Sequence, residues 1–372
     1  MTLINFILWS PDPAIIKIPL PNGGEHPIVW YGLLFALGFI VSQQFMLWFF
    51  KAEGRDQKDV DQLTMYMVVA VIVGARLGHC LFYAPEDYLS DPIKILKIWE
   101  GGLASHGGAL GILIALYLYS RKKADQSYIW ILDKVGLVVC LVGLFIRFGN
   151  FMNSEIIGLP TNSDYGVVFS RNIEELFLDS DRGIEEVEFS KGGEAVSDAP
   201  GHVPVIITLK FERGKQLNEA QAASFIGQHV KNSIVRYSSL SDHFYQDANK
   251  SLTYKLYKEN NIQYVDVYAL GIPRHPAQLY ESAYCLLIFL MLLHIWYHHR
   301  HQFADGFIFS IMMIVLWSAR FVDELFKENQ EAFEEGMALN MGQLLSIPMI
   351  AIGVIMLVIT LRKGKPQAKL DN

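Results

Sequence analysis

The feature that most constrains this chain is a series of apolar blocks, each of roughly 18–23 residues and long enough to cross a hydrocarbon core of about 30 Å as a helix. They lie at about 29–50, 62–83, 103–120, 131–153, 279–298, 303–325 and 343–361. Charges collect between the blocks, so a composition that is 52% hydrophobic and 19% charged divides into spans and polar connections. A soluble fold has no place for so many uncharged helices. The expected architecture is an all-α polytopic membrane protein with seven transmembrane helices and termini on opposite sides.

Lys and Arg in short connections are retained on the cytoplasmic side. One alternate set of connections holds Lys51, Arg55, Lys58, Arg121, Lys122, Lys123, Arg300 and the tail residues Arg362, Lys363, Lys365 and Lys369. The other holds only Lys17, Lys94, Lys97 and Lys327. This bias predicts an N-terminus outside and a C-terminus in the cytoplasm. The N-terminal MTLINFILWSPDP has no basic residue before its apolar start and no small-residue cleavage site, so the first span is expected to do the targeting.

The connection between the fourth and fifth helices, about 154–277, carries 17 acidic and 12 basic side chains and falls on the outer face. It is too long for a turn. Its alternating stretches VPVIITLKFE (203–212) and TYKLYKENNIQYVDVYAL (253–270) predict strands of a small extramembrane domain, while the Glu-rich 174–194 reads as a solvated face or mobile segment. The expected division is 1–158 as the first part of the transmembrane core, 159–270 as the inserted domain with β structure, and 271–372 as the second part with a basic tail. A net charge of −7 gives no basic excess for nucleic acid. Cys80, Cys140 and Cys285 have neither metal-ligand nor CxxC spacing and read as buried structural thiols.

An ionisable side chain in a span is costly unless it pairs, reaches an interface or lines a wet cavity, which makes such residues markers of function. Arg76 and His79 lie on the second helix and His106 opens the third. Asp133, Lys134, Arg147 and Glu155 belong to the fourth. Glu281 lies on the fifth, behind Arg274–His275, and Arg320, Asp323 and Glu324 lie on the sixth. Arg147, Asn150 and Glu155 stand at i, i+3 and i+8 and so share one broad face; Arg320 and Glu324 at i, i+4 can pair. Gly74 and Gly78 around Arg76 have the small-xxx-small spacing that lets helices approach closely. The glycine-rich EGGLASHGGALG (100–111) can bring backbone N–H groups and His106 to a polar headgroup. An Arg147–Arg320 cluster would suit a phosphate, whereas the plainer reading has each arginine neutralised by Glu155 or Glu324. On spacing alone an enzyme, a permease for an anionic solute and an anchored interaction protein all remain open, although no two-halves repeat suggests a transporter.

Seven stretches resemble the bacterial prolipoprotein diacylglyceryl transferases: HPIVWYGLLFALGF (26–39), VGARLGHCLFY (73–83), WEGGLASHGGALG (99–111), IRFGNFMNSEIIG (146–158), RHPAQLYES (274–282), ARFVDELFKEN (319–329) and MGQLLSIPM (341–349). They occur in the family's order and span all seven predicted helices, leaving 159–268 outside the likeness in detail. The resemblance implies an inner-membrane enzyme with a periplasmic N-terminus and its active site toward the outer leaflet. It would move the diacylglyceryl group of phosphatidylglycerol to the lipobox cysteine of a prolipoprotein, as a monomer and without a cofactor. It also implies catalytic roles for His106, Arg147, Arg320, Glu155 and Glu324, and substrate-binding roles for Tyr31, Arg76, Asn150, Gly158, Arg274, Gln278 and Tyr280. Arg147 and Arg320 would hold the phosphate, and His106 would accept the thiol proton. Two departures stand out. Leu316 occupies a position, one turn before Arg320, where family members often carry tyrosine, so a role for that hydroxyl is either absent or supplied elsewhere, by Tyr280 or Tyr284. The family's glycine-rich pattern around Arg147 is altered at both ends, reading Ile146–Arg147 and Asn153–Ser154–Glu155.

Overall fold

The computed structural model describes residues 6–19, 24–83, 85–97, 101–178, 183–192, 199–328, 334 and 336–364. Trp99, Glu100, Asn329, Lys365 and Lys369, together with 179–182 and 193–194 of the Glu-rich stretch, lie outside the described residues.

Each predicted block forms a helix: α1 (Trp30–Ala52), α2 (Gln57–Phe82), α3 (Ser105–Ser120), α4 (Tyr128–Met152), α5 (Ala277–His299), α6 (Phe307–Asp323) and α7 (Met341–Lys363). Five of them, α1, α2, α4, α5 and α7, are long and apolar enough to cross a membrane. The protein is therefore a polytopic membrane protein with several spanning helices. At 16 residues, α3 reaches only about 24 Å, short of a full hydrocarbon core. The chain is not helical throughout. Strands β1 (Phe6–Trp9), β2 (Ala14–Pro19) and β3 (Glu25–Val29) precede α1, and β4 (Gly166–Phe169), β5 (Ile184–Lys191), β6 (Val203–Phe211), β7 (Phe244–Tyr245), β8 (Thr253–Glu259) and β9 (Ile262–Gly271) lie between α4 and α5.

Two compact units emerge, one of Met1–Leu34, Arg147–Glu281 and Val322–Asn340, the other of Phe35–Ile146, Ser282–Phe321 and Met341–Asn372. The second is the helical core. Phe49, Phe50, Leu116, Ile131, Leu292 and Trp296 form its buried centre. Within it, α2 and α3 interlock through glycines: a Cβ on Gly74 would stand 2.4 Å from the Gly107 carbonyl oxygen, and one on Gly111 2.5 Å from that of Ala70. Only residues without a side chain permit that approach. Two charges expected to mark function serve structure instead. Lys134 pairs with Glu53, which also accepts from Trp130 and Trp296 Nε1 at 2.7 Å each. Asp133 accepts from the N–H groups of Gly306 (2.8 Å) and Phe309 (2.7 Å), satisfying donors that the start of α6 would otherwise leave open. The three cysteines are buried and free, as read from the sequence.

The first unit contains a five-stranded sheet in which β5, β6, β9 and β7 are neighbours and β8 pairs with β9. Alternation along β6 and β9 turns Val205, Ile207, Leu209, Val265 and Val267 inward, where Ile226, Val230 and Ile234 from short helical segments cover them. The stretch 253–270 is two strands, not one: Asn260 and Asn261, at φ 50° and 65°, form the two-residue turn between them. The Glu-rich stretch supplies the helix Arg171–Leu178 and the edge strand β5, with Glu185, Glu186 and Glu188 exposed. β1 pairs in parallel with β4 across more than 150 residues of sequence, and among the described residues β2 pairs only with β3.

Candidate functional site

In the first unit, parts of four of the seven motifs converge. α4 ends at Met152, so Glu155 is not on the helix with Arg147, contrary to the i, i+8 reading. A turn brings it back: the Glu155 N–H donates to the Asn150 carbonyl at 3.0 Å, with Ser154 and Ile156 on either side both at φ 55°. Ile156 is β-branched and therefore strained there, a cost borne where the turn's hydrogen bonds hold the carboxylate in place. Asn150 and Asn153 Nδ2 donate to the two Glu155 oxygens at 3.2 and 3.1 Å. Tyr31 packs on Gly149, where a Cβ would come within 3.0 Å of its ring.

The ion-pair partner of Arg147 is Glu281, not Glu155: Arg147 Nε lies 2.7 Å from Glu281 Oε2, while Nη1 makes a long 3.5 Å contact with Asn150 Oδ1. Nη2 has no hydrogen bond among the described residues, and the side chain keeps 19% of its surface exposed. The other Glu281 oxygen meets Lys327, which also lies 3.2 Å from Asp323 and 3.4 Å from Glu324. Asn340 Nδ2 donates to Glu324 Oε2 at 3.3 Å. Sequence reading counted Lys327 as a loop charge, but its side chain is 1% exposed. Its spacing from Asp323 and Glu324, four and three residues, was the available signal.

Main-chain contacts lock these motifs together. Gly158 N–H donates to the His275 carbonyl (3.0 Å), and that of Leu159 to Phe326 (2.7 Å). A Cβ on Gly158 would lie 2.4 and 2.7 Å from the oxygens of His275 and Phe326, so the close approach demands glycine. Arg274 is buried, donating to the carbonyls of Asp242 (2.6 Å) and Gly158 (3.0 Å) and pairing with Glu328. Gln278 is fully buried; its Nε2 donates to the Glu155 carbonyl, and its Oε1 has no hydrogen-bond partner among the described residues. Tyr280 is exposed, with its hydroxyl 3.1 Å from His275 Nδ1. Nearby, outside the long apolar helices, burial and then the Arg274 charge pull His243 down to about 4.

The second unit holds the remaining predicted residues. Arg76 is 2% exposed and spends its donors on main-chain carbonyls: Ile95 at 3.0 Å, Lys94 at 2.5 Å, and Gly101 and Gly102. Its ring partner is Tyr88, at 4.9 Å. The arginine pins the segment that leads into α3. His106 lies exposed in the first turn of α3, against the rings of Phe82 and Tyr83 at 5.5 and 5.8 Å. It borders a groove of about 910 Å³ along α2 and α3, walled by Val69, Val73, Leu77, Leu110 and Ile114. Arg320, near the end of α6, lies over the Trp317 ring at 5.9 Å. Leu316 and Tyr284 both pack against the apolar core.

Long apolar helices together with a buried cluster of ion pairs in the first unit define a polytopic membrane protein with costly charges held in place. The family model for prolipoprotein diacylglyceryl transferase matches residues 20–359. The phosphatidylglycerol–prolipoprotein diacylglyceryl transferase of Tolumonas auensis is 31% identical over 96% of this chain and 98% of its own length. Those of Porphyromonas gingivalis (32%, covering 96% of each chain) and Chloroherpeton thalassium (30%, covering 98% of each) are comparable. The chain belongs to the prolipoprotein diacylglyceryl transferase family and is a transferase.

Proposed function

We propose that the protein transfers the sn-1,2-diacylglyceryl group of phosphatidylglycerol to the thiol of a prolipoprotein lipobox cysteine, forming a thioether and releasing glycerol 1-phosphate. The observation that carries this reading is Arg147: Glu281 fixes its guanidinium through Nε, while Nη2 is left for an anion. In the reaction the thiol sulfur attacks the glyceryl carbon that bears the phosphate ester. The C–S bond forms, the C–O bond breaks, and its electron pair leaves on phosphate. Arg147 and Arg320 stabilise that charge. A thiol of ordinary pKa about 8.5 is mostly protonated at neutral pH, so His106 takes its proton. Asn150 and Glu155 hold the Arg147 end of the site, and Glu324 keeps Lys327 in place. Tyr31, Gly158, Gln278 and Tyr280 shape the substrate-binding surface, and Arg76 and Arg274 serve it by fixing main chain. The apolar groove beside His106 suits lipid entering sideways from the bilayer.

The same reading makes the protein a monomeric, seven-span enzyme of the bacterial inner membrane that needs no cofactor. Its N-terminus is periplasmic, its C-terminus cytoplasmic, and its active site faces the outer leaflet. Residues 1–158 and 271–372 carry the transmembrane core, and 159–270 is an inserted domain that either helps to receive substrate proteins or serves stability and assembly. Reconstitution with phosphatidylglycerol vesicles and a lipobox peptide, following the thioether by mass, tests the reaction. Folded wild-type protein that yields no thioether refutes it. Arg147→Ala should lower transfer roughly 10²–10³-fold, as loss of a charge-stabilising donor does elsewhere. Ordinary activity in folded Arg147→Ala would refute the phosphate role, and near-normal His106→Gln would make His106 an orienting group.

A further inference from the structure

Val29 closes β3 and Trp30 opens α1, with no residue between them. The Trp30 N–H donates to the Pro13 carbonyl at 2.9 Å, so the chain entering β2 and the chain leaving β3 are both tied to the start of the helix. Because α1 is long and apolar enough to span a membrane, the β2–β3 hairpin stands where that span meets the bilayer surface. Its register pairs Ile16 with Ile28, Ile18 with His26, Lys17 with Pro27 and Pro19 with Glu25. One face therefore carries Ile16, Ile18, Ile28 and His26, and the other Lys17, Pro19, Glu25 and Pro27.

The apolar face is bare: Ile16, Ile18 and Ile28 are 56%, 43% and 37% exposed. A lone two-stranded hairpin is marginal in water, and β2 and β3 pair with each other and with no other strand among the described residues. We propose that the Ile16–Ile18–Ile28 face docks on the phospholipid bilayer at the headgroup–acyl boundary, with Lys17 and Glu25 turned toward water. Continuity with α1 names the bilayer as the occupant. The hairpin's outer edges meet no other strand among the described residues, and edge N–H and C=O groups cannot be satisfied by hydrocarbon, which limits immersion to the interfacial layer, about 5–10 Å. Tyr31 lies two residues beyond β3, so docking sets its height in the membrane.

The alternation of faces supplies the test. Single cysteines are placed by Ile16→Cys, Lys17→Cys, Ile18→Cys and Pro27→Cys in the full chain, where native Cys80, Cys140 and Cys285 are buried and label poorly. Each is tagged with an environment-sensitive fluorophore after reconstitution into phosphatidylglycerol–phosphatidylcholine vesicles. Lipids bearing a shallow spin-label quencher should quench positions 16 and 18 at least twofold more than 17 and 27. All four positions are exposed, so the substitutions leave packing intact. Equal quenching at the four sites, or none, overturns the proposal. So does a response at 16 and 18 to added lipobox peptide without quenching by lipid, since the face would then bind peptide.

Discussion

Lys327→Met gives the sharpest test of how the candidate site is held. Methionine keeps most of the stem and removes the ammonium that touches Glu281, Asp323 (3.2 Å) and Glu324 (3.4 Å) from a position 1% exposed. Carboxylates with 3–7% of their side chains exposed would lose that cation without gaining water. Removing one partner of a buried pair costs about 3–5 kcal/mol, against about 0–1 kcal/mol for an exposed pair. That is roughly a 10²–10⁴-fold fall in the folded-to-unfolded ratio. Denaturant unfolding in detergent micelles reads the loss directly. Adding Asp323→Asn to the same chain removes one stranded carboxylate and should recover about 1–3 kcal/mol, the coupling expected of contacting charges. A Lys327→Met shift within about 0.5 kcal/mol, as for an ordinary surface change, would refute the reasoning. Strict additivity of the two substitutions would refute it as well.

The glycine interlock predicts that Gly107→Ala, whose Cβ would lie 2.3 Å from the Gly74 carbonyl oxygen, destabilises the protein by about 1–3 kcal/mol. Gly227→Ala, with open space around it, should leave the unfolding midpoint nearly unchanged. His243 makes stability depend on pH. Its folded value of about 4 lies below the ordinary 6.5, so the unfolded chain binds the extra proton between the two. Stability is therefore full above about pH 6.5 and falls by about 3 kcal/mol as the pH drops toward 4. His243→Gln should flatten that part of the profile, and an unchanged slope would assign the dependence to another group.

Periodicity and apolar length made all seven helices legible, because a span declares itself over many residues. The strands at 203–211 and 253–271 were visible by alternation, although the Asn260–Asn261 turn that splits the second was passed over as part of one run. What the sequence did not disclose depends on distant contacts. β1 finds β4 only in the folded unit, and nothing local to Phe6–Trp9 names that partner. Spacing selected Arg147, Asn150 and Glu155 correctly as neighbours, but neither of its readings for Arg147 named Glu281, which arrives from another helix. Arg76 and Arg274 were legible as costly residues; that their donors go largely to carbonyls was not.

The ionic cluster also has an order of assembly. It draws on Arg147, then on Glu281, then on Asp323, Glu324 and Lys327, so a ribosome must pass the end of α6 before Glu281 can meet Lys327. Until then the growing chain carries an arginine and a glutamate whose network is unfinished, with the whole β4–β9 segment made in between. Truncation anywhere before residue 327 leaves every earlier helix intact in sequence yet deprives the cluster of its central cation. A partly made copy thus carries buried-site carboxylates that still lack the Lys327 ammonium.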